Sequence, residues 1–172
     1  QDKTTEDITP SFKLIKKIMA LYYWNQIDSQ FNKQWDFTNP RSYTYLPYYL
    51  SIVDLHNDLM IILSDLYFLW LKCENGLGVE LMDDFDFHER FQEKNRFYNR
   101  QNAFEKKYNS NTKNILNKKQ KDANSINFLS YKLFVMSNYH IIISNPQLLL
   151  QQAINQPERS IVSKDVRLLL KT

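Results

Sequence analysis

The sequence predicts an all-α protein, an array of antiparallel helical hairpins in the manner of a superhelical, HEAT-like arm. Three observations predict it. Apolar residues return at three- and four-residue spacing through most of the 172 residues, which is the period of one helix face. Asn-Pro and Thr-Pro pairs recur where those patterns begin, as helix starts require. Only 2 glycines occur, both within Glu74-Asn75-Gly76-Leu77-Gly78, and strand signals are thin. Ile141-Ile142-Ile143 is β-branched, yet it continues a helical period.

Residues 1–8 are polar and are expected to be a flexible N-terminus. Hairpins of the arm are expected over 9–93. A first helix opens at Thr9-Pro10 and carries Phe12, Ile15, Met19, Tyr22 and Tyr23 on one face. A second opens at Asn39-Pro40 with Tyr43, Leu46 and Leu50 inward, and Pro47 inside it predicts a kink or a break. Asn57 is the expected cap of a third helix holding Leu59, Ile62, Leu63, Leu66, Leu69 and Trp70. Asn75-Gly76 stops it, since both residues tolerate a left-handed backbone. A fourth helix carries Val79, Met82, Phe85, Phe87 and Phe91.

Residues 94–123 change character and are read as a basic, Asn-rich insert or loop. Nine basic residues between 94 and 121 face one acid, Glu105. C-terminal helices of the arm follow over 124–172. The first carries Phe128, Tyr131, Leu133, Phe134, Val135 and Met136 and runs to Ile143. Asn145-Pro146 starts another with Leu148, Leu149 and Ala153, and Pro157 ends it. Ser163 is the expected cap of the last, with Val166, Leu169 and Leu170. Leu59, Ile62, Leu66, Leu69, Trp70 and Phe134 are the predicted core.

Composition narrows the function. Hydrophobic residues make up 43% of the chain and aromatics 15%, enough to bury a core and too many for a disordered segment. Apolar runs such as Leu66-Tyr67-Phe68-Leu69-Trp70-Leu71 are too short to span a bilayer. One cysteine, Cys73, excludes an internal disulfide and suits a reducing compartment, so an intracellular, cytoplasmic setting is expected. The sequence opens on Gln1 with no charged-then-apolar leader, as a chain trimmed or excised from something longer would. It contains no phosphate loop and no nucleophile constellation.

Three segments carry a resemblance. The first is Arg41-Ser42-Tyr43-Thr44-Tyr45-Leu46-Pro47-Tyr48-Tyr49-Leu50. The second is Leu63-Ser64-Asp65-Leu66-Tyr67-Phe68-Leu69-Trp70-Leu71-Lys72-Cys73-Glu74-Asn75-Gly76, followed by Leu81-Met82-Asp83-Asp84-Phe85. The third is Asn145-Pro146-Gln147-Leu148-Leu149-Leu150-Gln151-Gln152-Ala153-Ile154-Asn155-Gln156-Pro157. In this order they resemble the helical region of NACHT-WD40 proteins, signal-transducing NTPases of the STAND class that include telomerase-associated relatives. Tyr49 stands where that family has a histidine, and the basic insert departs from its pattern. The resemblance implies an arm of packed helices coupling a WD40 propeller to an NTPase. Any NTPase activity would then belong to a parent chain, because its motifs are not in this sequence.

The expected function is a non-catalytic scaffold or coupling module, with protein partners or neighbouring domains and no cofactor. Gln151, Gln152, Asn155 and Gln156 are candidate interdomain contacts, since amides both donate and accept. The commoner role for such amides is to cap a helix end. Lys94, Arg96, Arg100, Lys106, Lys107, Lys113, Lys118, Lys119 and Lys121 are candidate polyanion contacts, with Phe97, Tyr98, Phe104 and Tyr108 interleaved. The alternative function is thus a stand-alone basic subunit binding nucleic acid or a cytoskeletal polyanion within a larger assembly. Nucleic acid ranks behind protein partners, because no RNA-binding motif is present. A salt-dependent affinity separates the two readings. Asp83, Asp84, Asp86, His88 and Glu89 raise metal or acid–base chemistry, but such a cluster is more often a solvated face. Cys73, beside Lys72, reads as a packed hydrophobe rather than a reactive thiol.

Overall fold

The computed structural model describes residues 10–36, 39–87, 89, 90, 93 and 115–171. It is all-α, with no strand among the described residues. The helices are α1 (Pro10–Ile27), α2 (Pro40–Ile52), α3 (His56–Leu63) and α4 (Leu66–Glu74), then α5 (residues 81–87). After them come α6 (Ile115–Ser144), α7 (Leu149–Ile154) and α8 (Ile161–Leu169). One-turn 3-10 segments at Gly78–Glu80 and Pro146–Leu148 lead into α5 and α7. The expected flexible N-terminus lies outside the described residues.

Helix α1 packs on α2, α2 on α3, α3 on α6, and α6 and α7 on α8. The α1–α2 seam is aromatic. Tyr23 stacks on Tyr49 at 5.5 Å between ring centres and lies 5.3 Å from Tyr45. Tyr43, Leu46 and Leu50 point inward as their spacing predicts. Helix α2 continues through Pro47, so of the expected kink or break the break does not occur.

The expected long third helix is two. Its apolar period runs unbroken across Ser64-Asp65, yet α3 ends at Leu63 and α4 begins at Leu66. Asp65 makes the division: its Oδ1 accepts from Tyr67 N and Phe68 N, both at 3.0 Å. That satisfies two of the amides that open α4. Asn57, the predicted cap, lies inside α3 and accepts a 2.7 Å bond from Asn124 Nδ2 on α6. Replacing Asp65 by Ala should lower stability by about 1 kcal/mol. Urea unfolding of the variant measures this, and an unchanged midpoint would deny Asp65 that role.

Gly76, at φ 76°, takes the left-handed turn after α4. Val79 is exposed in the 3-10 turn instead of facing the core, and Leu81 and Phe85 are the buried apolar side chains that follow. The last helix is capped by Ser160, whose Oγ accepts from Ser163 N at 3.1 Å. Ser163, the predicted cap, is buried inside it. Helix α7 ends before Pro157, as predicted.

The core runs from Ile27 and Trp35 through Leu59, Ile62, Leu63, Phe68 and Leu69 to Tyr131, Phe134 and Val166. Of the predicted core, Leu59, Ile62, Leu66, Leu69 and Phe134 are buried. Trp70 is only partly buried, at the rim, stacked on Tyr67 at 5.6 Å. Phe68 holds the central place, edge-on to Trp35 and tilted against Tyr43, each at 5.2 Å. Between α1 and α2, Asp28 organises the loop by accepting from Asn32 N at 3.0 Å and Lys33 N at 2.9 Å. That loop includes two non-glycine residues at positive φ, Phe31 at 53° and Lys33 at 64°.

Candidate functional site

Among the described residues a polar cluster is built on a buried lysine. Lys72 lies on α4 with a fully buried side chain. Pro47 creates one of its partners. Proline has no N–H, so the carbonyl four residues earlier in α2, that of Tyr43, is left out of the helix ladder. Lys72 Nζ donates to that carbonyl at 2.9 Å. It also meets Asp84 Oδ2 at 2.5 Å and Glu80 Oε2 at 3.5 Å. One ammonium thereby joins α2, α4, the 3-10 turn and α5. Burial raises the Asp84 carboxyl to about 6, against the lowering effect of the Lys72 ammonium. Lys72 and Asp84 are buried and Glu80 is partly exposed, an arrangement that suits a structural tie between the helices.

The remaining acids of the 83–89 stretch point elsewhere. Asp86 and Glu89 hold Lys132 of α6, at 3.2 Å and 2.6 Å. Burial lowers Lys132, and its bonds to Glu89 and Asp86 outweigh that and raise it. The sequence neighbours Asp84 and Asp86 thus serve two different lysines instead of one site. Among the described residues no group of His, Cys, Asp or Glu forms a metal cluster, and His88 lies outside them. Cys73 is buried, and burial pushes its thiol up to about 12 against the lowering effect of Lys72. It is a packed hydrophobe, as its place at the end of an apolar helix predicts.

A cleft of about 440 Å³ opens between the α3–α4 joint, α6 and α8. Its acids already have work to do. Asp65 caps α4, and Asp165 accepts the Tyr131 hydroxyl at 2.8 Å. With both carboxylates tied to the fold, the cleft has the character of a packing seam between helices.

The predicted contact residues fall in two places. Gln151, Gln152, Asn155 and Gln156 lie at the C-terminal end of α7. Gln156 Nε2 donates to Gln152 O at 3.4 Å, so one of these amides closes its own turn. Lys118, Lys119 and Lys121 lie on α6, whose described residues start at Ile115, inside the stretch read as an insert or loop. Lys94, Arg96, Arg100, Lys106, Lys107 and Lys113 lie outside the described residues.

Two outward helix faces are apolar. On α1, Ala20 and Ile27 are buried, and Tyr23 and Trp24 pack against the core. On the opposite side Leu14, Ile15, Ile18, Leu21 and Tyr22 are each more than half exposed. Of the residues that the helical spacing singled out, Tyr23 packs against the core, whereas Phe12, Ile15 and Tyr22 are exposed. Lys13 Nζ of the same helix donates to Asp54 Oδ2 at 2.6 Å. On α6, Phe128, Tyr131, Phe134, Val135 and Ile142 are buried, whereas Ile126, Leu129, Leu133 and Met136 are 47% to 60% exposed. Leu133 and Met136, part of the apolar pattern that predicts this helix, thus belong to a second stripe. Helix periodicity alone missed it, since both faces of α6 are apolar.

Comparison of the chain with protein-family models, with curated proteins and with solved structures finds no match. The class that the fold itself defines is all-α. No helix among the described residues is long and apolar enough to cross a membrane.

Proposed function

We propose that this chain is a non-catalytic helical scaffold or coupling module, whose hairpins stack as a HEAT-like arm and dock protein partners or neighbouring domains. The observation that supports it most is the outward face of α1. A lone exposed leucine is ordinary, but a contiguous apolar stripe opposite a helix's buried face marks an interaction surface. Stacked helical units bury such stripes against one another. The resemblance to NACHT-WD40 proteins supplies a setting, between an NTPase and a propeller, with catalysis left to the parent chain.

Cross-linking of the native protein in its source cells tests the module. Links from α1 to other polypeptide segments are expected, and Ile18→Glu should abolish them. That substitution should change stability by no more than about 0.5 kcal/mol, because the side chain is exposed. A stable Ile18→Glu chain that keeps every link would sink the reading. The intact mass and sequence of the native polypeptide test the setting. NTPase sequence before and WD repeats after would support it, and a polypeptide with neither would overturn it.

A further inference from the structure

The outward stripe of α6 is laid out to fit a copy of itself. From Ala123 to Ser144 the only formally charged side chain is Lys132. Lys132 is buried and neutralised by Asp86 and Glu89. In a chain that is 24% charged, a solvent-facing helix surface would normally carry lysine or glutamate. This one instead presents Ile126, Leu129, Leu133 and Met136 at alternating three- and four-residue steps, the spacing of a coiled-coil seam. Serines border the seam with their hydroxyls turned back on the helix. Ser130 Oγ donates to Ile126 O at 2.9 Å, and Ser137 Oγ donates to Leu133 O at 2.7 Å. Covering this face therefore strips water from few unpaired polar groups.

The stripe is symmetric about residue 131. An antiparallel copy sets Leu129 against Leu133 and Ile126 against Met136, so that each layer pairs with its own mirror position. The same register sets His140 opposite position 122, which the sequence fills with aspartate. The two helices of such a pair run with opposed dipoles, which favours that orientation.

We propose that α6 pairs antiparallel with α6 of a second copy of this chain, about a two-fold axis level with residue 131. The proposal rests on the reading of the chain as an interaction module and names one partner. Sedimentation equilibrium of the 172-residue chain should give twice 20.7 kDa in the upper micromolar range. Leu129→Glu with Leu133→Glu should weaken association about a hundredfold or more, with the helical circular dichroism unchanged.

Cross-linking fixes the register. Ile126→Cys chains mixed with Met136→Cys chains should form disulfide-linked pairs. Ile126→Cys chains alone should not, because antiparallel pairing holds the two positions about 15 Å apart, beyond disulfide reach. Buried Cys73 does not compete. A monomer at every concentration overturns the proposal. So does a dimer that survives the double glutamate variant, or one in which Ile126→Cys links to itself. A monomer whose α1 cross-links in cells persist would remove self-pairing and leave the module reading standing.

Discussion

Lys72→Ala should destabilise the protein by about 3–5 kcal/mol at neutral pH, enough to lower the melting temperature by roughly 10 °C. The loss is more than a missing bond. Asp84, Glu80 and the Tyr43 carbonyl all face the Lys72 ammonium, and removing it strands the buried carboxylate of Asp84. Replacing both partners, as Lys72→Met with Asp84→Leu, should recover most of the loss. A buried ion pair contributes little over well-packed apolar residues, whereas half of one is costly. A double variant as unstable as the single one would refute this account.

The pH dependence has a definite sign. Asp84 is raised from its ordinary 3.8 to about 6 in the folded chain, chiefly by burial. Between these values the folded state holds the proton that the unfolded state has released. The contribution of Asp84 to stability therefore falls as pH rises from about 4 to about 6, then levels off. Asp84→Asn removes that slope. The penalty of Lys72→Ala should likewise shrink below pH 6, where Asp84 can stay neutral. Denaturant unfolding at pH 5 and pH 7 measures both, and a penalty that does not change between them would contradict the burial of Asp84 as a charge.

Phe68→Ala should cost about 3–5 kcal/mol, and Trp70→Ala should cost clearly less. Phe68 is fully buried between Trp35 and Tyr43, which come from the α1–α2 loop and α2. Its removal leaves a cavity with aromatic walls that cannot collapse easily. Trp70 sits at the rim, where water and Tyr67 can follow the truncated side chain. Equal losses in thermal unfolding would show that the rim is as tightly packed as the centre.

The order of these two residues was not legible in the sequence. Both lie in one apolar run, Leu66 to Leu71, and tryptophan is the larger. Which of them faces the centre depends on where α4 starts, and Asp65 sets that start. The signal was present as an acid before an apolar run, but the uninterrupted period across Ser64-Asp65 argued for one helix. The Lys72 cluster was half legible. A proline inside a helix announces a free carbonyl four residues back, yet nothing local says that a lysine 29 residues further on will take it. Of the polyanion residues, Lys118, Lys119 and Lys121 lie on α6 and not in a loop.

The sequence by itself determined the helical class, the opening of α2, the turn at Gly76 and the end of α7 before Pro157. These depend on hydrogen bonds and backbone preferences within four residues, which a local pattern contains. Tertiary structure decided which apolar face of α1 and of α6 is covered, where the long third segment divides, and which acid serves which lysine. Both helices have two faces hydrophobic enough to bury. Choosing between them is a matter of the area gained against the other helices, and that area exists only once they are packed.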